Sequence, residues 1–290
     1  MHKDLLTSSR AISTLILAPA APSILSDFQS SDKEITVLLV SIWELGEAIA
    51  PLLMGPLSEV YGRVPVYHAA NVLFLVASVC SALSVNLAML CAFRFFNGVA
   101  VGATALNAAI VGDIFVPEER GKALAAEILP LLLSPILGPI AGGYFTQALG
   151  WRWTCWFSVI LVGACELAFL VAFRQETYKV LLLRRRAARL RKETGNDALR
   201  CAYDGSATSS DVFTHSTLLW TSIIRPVKML FTSYMLLLLA VYGAINYGYV
   251  FIISTTITTL FEEKYAFSPG PAGLTFAGMG KFTIHDFYLV

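Results

Sequence analysis

Four ionisable residues sit inside apolar runs long enough to cross a bilayer: Glu44, Glu47, Arg94 and Glu166. An ionised side chain at mid-span costs about 2.5–3.5 kcal/mol on insertion scales, so each must find a cavity or a partner. Glu44 and Glu47 are three apart and share one side of a helix, with Pro51 following on the same side. A carboxylate desolvated there is suited to carrying a proton. Arg94 keeps its proton but can capture or release a nearby carboxylate. The pattern predicts proton coupling by Glu47 and Arg94, with Glu44 next. For Glu166, an interfacial position and a buried partner are both open. A second group of charges lies in "MGPLSEVYGRVPV", Met54 to Val66, where Glu59 and Arg63 are four apart and within pairing reach. Gly55 and Gly62 there permit a tight turn and close helix approach. "GDIFVPEERGK" adds Asp113, Glu118, Glu119, Arg120 and Lys122. Charges gathered at one mouth suit a breakable latch between helices.

The elements that must carry these residues follow from composition. With 56% hydrophobic and 14% charged residues in 290, and a net charge of +1, the chain is no soluble globular domain and makes no case for nucleic acid. Apolar spans run over about 11–27, 36–57, 65–85, 88–112, 123–147, 153–173 and 229–258, and an eighth begins near Pro269 and stops short. Backbone groups cannot stay unpaired in lipid, so the spans are expected to be helices. The first is short and holds Pro19 and Pro22, and a signal peptide's apolar region would look similar. The alternation of the later spans requires that it stay.

Lysine and arginine positions set the orientation. With the N-terminus inside, sixteen basic residues fall on the cytoplasmic side, among them Lys3, Arg10, Arg63, Arg120 and Lys122, and three on the other, Lys33, Arg152 and Lys264. That disfavours a seven-helix receptor. The polar stretch 175–228 divides the chain into a six-helix bundle (1–174), a cytoplasmic central loop containing Cys201, and part of a second bundle (229–290). Within the loop, "ETYKVLLLRRRAARLRKETGN" mixes a basic face with leucines, fitting either a helix on the anionic inner leaflet or a solvated linker.

Several faces invite a reading. Gly98, Gly102, Ala105, Ala109 and Gly112 recur at helical spacing, a surface for close packing. Beside them Arg94, Asn97 and Thr104 suit a polar cavity. Ser134, Gly138, Ala141 and Gly142 form another small face, on a helix that Pro135 and Pro139 should bend. Tyr242, Asn246 and Tyr249 suit a broad apolar substrate site, whereas Tyr234 and Tyr265 read as interfacial anchors. Cys80, Cys91, Cys155 and Cys165 show no paired spacing and read as buried small hydrophobes. Neither a zinc-protease helix, a nucleophile elbow nor a phosphate loop appears, so the expectation is a protein that is not an enzyme and uses no metal or cofactor.

"GPLSEVYGR" resembles the signature loop between helices 2 and 3 of the major facilitator superfamily. Gly55, Glu59, Gly62 and Arg63 match its glycine, acidic, glycine and arginine positions, and Val64 replaces a further basic residue. "RFFNGVAVGA" resembles the family's helix 4 motif through Arg94 and Gly98, with Asn97 where a glutamine is common. "SPILGPIAGGY" resembles the helix 5 antiporter motif through Gly138, Pro139, Gly142 and Gly143, with Ser134 for a usual glycine. "RQETY" and "RPVKMLF" resemble the ends of the central loop in fungal drug:proton antiporters. The resemblance covers about residues 12–280 and implies an all-α, two-bundle secondary transporter with a mid-membrane cavity. It implies that Asp113 pairs with Arg63 in gating the inner mouth and that Arg94 serves proton coupling. The expectation is therefore a complete N-terminal six-helix bundle with a partial C-terminal one, in a multi-pass protein of the plasma membrane. Its expected partners are a small-molecule substrate, protons as coupling ion and the lipid bilayer, and its expected task is export of lipophilic or amphiphilic molecules. A non-transporting membrane remnant or interaction subunit, and a sugar or other nutrient transporter of the same superfamily, are the alternatives. In "KFTIHDFYLV", Lys281, His285 and Asp286 fall where a membrane helix should continue, which reads as a truncation that leaves the chain unable to complete a transport cycle alone.

Overall fold

Inside a bilayer the backbone must satisfy its own hydrogen bonds, and the elements here are helices throughout. The computed structural model describes residues 2–29, 33–172, 176, 178–196, 198–201, 224, 228–265 and 267–276, with no β-strand among them. The tail with Lys281, His285 and Asp286, and most of the central loop, lie outside the described residues. The first expected span is two pieces, α1 (His2–Leu15) and α2 (Ala21–Asp27), joined through a 3₁₀ turn at Ala18–Ala20. Pro19 and Pro22 have no N–H to continue the helical ladder, which accounts for the break. Then come α3 (Lys33–Tyr61) and α4 (Arg63–Ala82), separated by Gly62 alone. Gly62 has φ +107°, a conformation that L side chains rarely adopt. The fourth expected span is likewise divided, into α5 (Leu87–Val101), a 3₁₀ turn at Gly102–Ala105 and α6 (Leu106–Ile114). Asn86 caps α5 by accepting the Met89 N–H at 2.7 Å.

Next, α7 (Pro117–Leu149) runs unbroken through Pro135 and Pro139, and α8 (Arg152–Ala172) follows it. Among the described residues, five helical segments are long and apolar enough by themselves to cross a membrane, including Val37–Tyr61, Arg63–Ala82 and Tyr234–Ile253. Outside the bundle, α9 (Lys179–Thr194) has no buried residue and ends on Gly195 in the left-handed region, φ +65°. The chain continues with α10 (Tyr234–Tyr265) and the short α11 (Pro269–Leu274).

Close backbone contact, more than side-chain interlock, sets the bundle. On α5 a Cβ at Gly98 would fall on the Trp43 carbonyl of α3, and on α7 one at Gly142 would fall on the Ile16 carbonyl just beyond α1. Ser134, Pro139 and Gly143 are buried in the same α7 face. The expected packing role of Gly55 and Gly112 does not hold, because nothing lies within 4 Å of a Cβ at either. One apolar core gathers Trp43, Phe74, Ala100, Ile110 and Phe169, and a second, toward Trp151, gathers Ile16, Ile24, Leu39 and Leu90. Unlike these helices, α10 has none of its membrane-length window buried. It touches α3, while α11 seats on α7 with Gly270 N–H donating to Gln147 Oε1 at 3.2 Å.

Candidate functional site

Two polar centres lie in the six-helix bundle, one inside it and one at the end bearing Arg63. The inner centre is built around Trp43, which no motif singled out. Its indole N–H donates to Glu47 Oε2 at 3.3 Å, one helical turn on, and the Arg94 guanidinium lies 4.3 Å from its ring centroid. Glu47 and Arg94 thus meet through one tryptophan and form no direct pair. Arg94 is 2% exposed and spends its donors on backbone: Nε to Leu39 O at 3.3 Å, Nη1 to Ser13 O at 3.4 Å and Nη2 to Thr14 O at 2.9 Å. The Ser13 and Thr14 carbonyls belong to the last turn of α1, where helical donors run out, so Arg94 closes the broken end of the first helix.

Glu44 shares the Glu47 side of α3 but has other neighbours. Its Oε1 is buried with no hydrogen-bond partner, and it lines a cavity of about 350 Å³ between α3 and α10, with Val40, Ser41, Tyr247 and Phe251. The side of α10 that reaches α3 is therefore that of Tyr247 and Phe251, whose rings stack at 6.3 Å. Tyr242, Asn246 and Tyr249, expected to line the cavity, are exposed on the opposite side of the helix, and Asn246 Nδ2 donates to Tyr242 O at 2.8 Å. Pairing the charge of Glu44 with an aromatic one turn from another aromatic was the available signal for Tyr247.

Asn97 departs from expectation too. It is 3% exposed, accepts from Ser78 Oγ at 3.1 Å and donates to Ser81 Oγ at 3.4 Å. The two α4 serines fill the space beside it, and the void there is only about 10 Å³, too small for a substrate.

At the Arg63 end, the expected Glu59–Arg63 pair does not form. Glu59 is exposed, and Arg63 Nε reaches Asp113 Oδ2 at 3.1 Å, as the family resemblance implied. Arg63 Nη1 donates to Ser58 Oγ at 3.1 Å, and Ser58 donates on to Gly55 O at 2.7 Å. The sequence reading missed two further members. Glu176 Oε1 accepts the Arg63 N–H and the Tyr178 N–H, each at 3.0 Å, and the Tyr178 ring lies 5.1 Å from the Arg63 guanidinium carbon. A Cβ at Gly62 would strike the Glu176 carboxylate, so the glycine both makes the turn and admits the acid. Burial, then the Glu59 carboxylate, pushes the Tyr178 phenol above its ordinary value, while Arg63 opposes them. Arg120 stays out of the pair: Nη2 and Nε donate to the Gly112 and Phe115 carbonyls at 2.9 and 3.2 Å, capping the end of α6.

The helical bundle is held by glycine contacts, and an arginine–aspartate pair links the α3–α4 turn to the end of α6, the arrangement of a multi-pass membrane fold. The Major Facilitator Superfamily profile matches residues 5–284, and the chain belongs to that family. It is 39% identical over 278 residues to the efflux pump radE of Floropilus chiversii, covering 96% of this chain and 50% of that protein. It is 40% identical over 286 residues to the MFS-type transporter tndD of Aspergillus flavipes, covering 98% and 52%. The chain thus spans about half the length of these relatives. Among solved structures, the human organic anion transporter MFSD10 (TETRAN) superposes with a TM-score of 0.61 at 19% identity, covering 96% of this chain and 68% of that one. A bacterial homologue of the lysosomal transporter Spinster, inward-facing and unoccupied, gives 0.58 at 15%, covering 94% and 57%. At those identities the likeness is one of fold. The chain thus has the multi-pass membrane fold of this superfamily over about half the length of its relatives.

Proposed function

We propose that this chain supplies the proton-coupling half of an efflux transporter that exports lipophilic or amphiphilic small molecules by proton antiport. The observation that carries the reading is the placement of two membrane-embedded carboxylates about one buried arginine. Glu47 and Arg94 share Trp43, while Glu44, on the same helix, lines the 350 Å³ cavity against α10. A proton on either acid changes the field at the cavity wall in a medium of low dielectric. The walls are mostly aliphatic and aromatic, which favours lipophilic solutes over sugars. Relatives named as an efflux pump and as transporters support the export direction. In this reading the Arg63–Asp113 pair is the inner gate, the N-terminus and central loop face the cytosol, and the membrane is the plasma membrane.

Alternating access rocks one six-helix bundle against the other, so the test uses a two-bundle version of the protein in liposomes. Under an imposed proton gradient, Glu44→Gln and Glu47→Gln together should cut solute flux at least about tenfold, while solute binding changes by less than about threefold. Full gradient-driven flux in the double variant would return both acids to a packing role.

A further inference from the structure

Glu166 of α8 belongs to neither centre. It is 4% exposed, yet both carboxylate oxygens are engaged by α4: Oε1 lies 2.5 Å from His68 Nδ1, and Oε2 accepts from Asn71 Nδ2. The Phe169 ring, one turn farther along α8, packs on Tyr67 and His68 at 5.4 and 5.1 Å. The Arg10 guanidinium of α1 lies over the Tyr67 ring, 4.6 Å from its centroid.

The position of this cluster along the two helices closes a ring. From Arg63, where Glu176 is bound, α4 climbs five residues to His68, about 7.5 Å at the helical rise. From Glu166, α8 returns six residues to Ala172, about 9 Å in the opposite direction. Glu176 comes four residues later, and four residues reach at most about 14 Å. The end of α8 must therefore stay close to Arg63 for Glu176 to accept its N–H. A carboxylate bridging two residues one turn apart fixes both the height and the rotation of α8 on α4, which apolar packing with Phe169 alone does not.

We propose that Glu166, clasped by His68 and Asn71, is a positioning residue for the gate: it holds α8 in the register that seats Glu176 on the Arg63 amide. The purpose of that register rests on the transporter reading, but the contact can be measured without any solute. Arg63 is the first residue of α4, so its N–H has no helical acceptor and depends on Glu176. Its hydrogen exchange reports the seat directly.

The chain in lipid nanodiscs is compared with four variants. Glu176→Ala sets the rate of the unseated amide. His68→Ala and Glu166→Ala should each speed Arg63 exchange about tenfold, toward that limit, as expected for loss of a charge-assisted hydrogen bond. Glu166→Gln keeps the shape and an acceptor for the imidazole N–H and should stay within about threefold of the parent. If Glu166→Ala does not fold, His68→Ala and the near-isosteric glutamine variant carry the comparison. Slow Arg63 exchange in a His68→Ala chain whose α5 amides remain protected overturns the proposal. So does a Glu166→Gln chain that exchanges as fast as His68→Ala. A failed flux assay would leave either result standing.

Discussion

Two buried arginines in this bundle have opposite surroundings, and the sequence placed only Arg94 inside a span. Arg94 has three carbonyl acceptors and an aromatic face. Arg10 is fully buried over Tyr67, and none of its guanidinium nitrogens has a hydrogen-bond partner. Removing one member of a satisfied buried network costs about 3–5 kcal/mol, whereas replacing an uncompensated buried charge by an apolar side chain of similar size gains about 1–4. Arg94→Met should therefore lower, and Arg10→Met raise, the unfolding midpoint in detergent. Equal shifts for the two would contradict the contrast. Arg10 also leaves the count of cytoplasmic basic residues, since it is inside the bundle. Position in a sequence reveals that a charge lies in an apolar span, but its partners come from residues tens of positions away. For the same reason the pairing of Arg63 was legible only through family resemblance: spacing favoured Glu59, four residues off, over Asp113, fifty off.

Helices and their faces were more legible, because an apolar run of about 20 residues admits few alternatives in lipid. Four membrane-length helices before the polar stretch, and the small faces of α5 and α7, came directly from period and composition. Breaks within traverses did not, since the 3₁₀ turn at Gly102–Ala105 depends on how α5 meets α3. Which glycine matters is also a tertiary property. Gly142→Val puts side-chain atoms on the Ile16 carbonyl and should destabilise by about 3 kcal/mol or more, by forcing α1 off α7. Gly55→Ala meets nothing within 4 Å and should gain roughly 0.5–1 kcal/mol from helix propensity. Thermal unfolding of both variants in one detergent checks the pair, and a destabilising Gly55→Ala would mean an unseen neighbour there.

At the scale of the molecule, the asymmetry between bundles is plain. Helices α3 to α6 and α8 share the apolar cores, with α2 joining the second, while α10 leans on α3 with its membrane-length window unburied and α11 is pinned to α7 through Gln147. Composition did not anticipate that Cys201 is 6% exposed. Topology is thus better read from an exposed neighbour. In a chain with the native cysteines removed, Arg200→Cys should resist an impermeant thiol reagent applied outside intact cells, as the positive-inside count requires. Labelling from outside would reverse the assigned orientation.

The broken end of α1 sets an order on synthesis. An unpaired last-turn carbonyl away from water costs several kcal/mol, and the guanidinium that satisfies Thr14 is 80 residues downstream. At translation rates of about 5–20 residues per second, that residue is made roughly 4–16 s later. Through that interval the first traverse has no protein donor for this end, so it must linger where water or the insertion machinery can serve instead. The nascent chain cannot settle span by span. The expected consequence is that the end of α1 gains its protein donor only when Arg94 of α5 has been made.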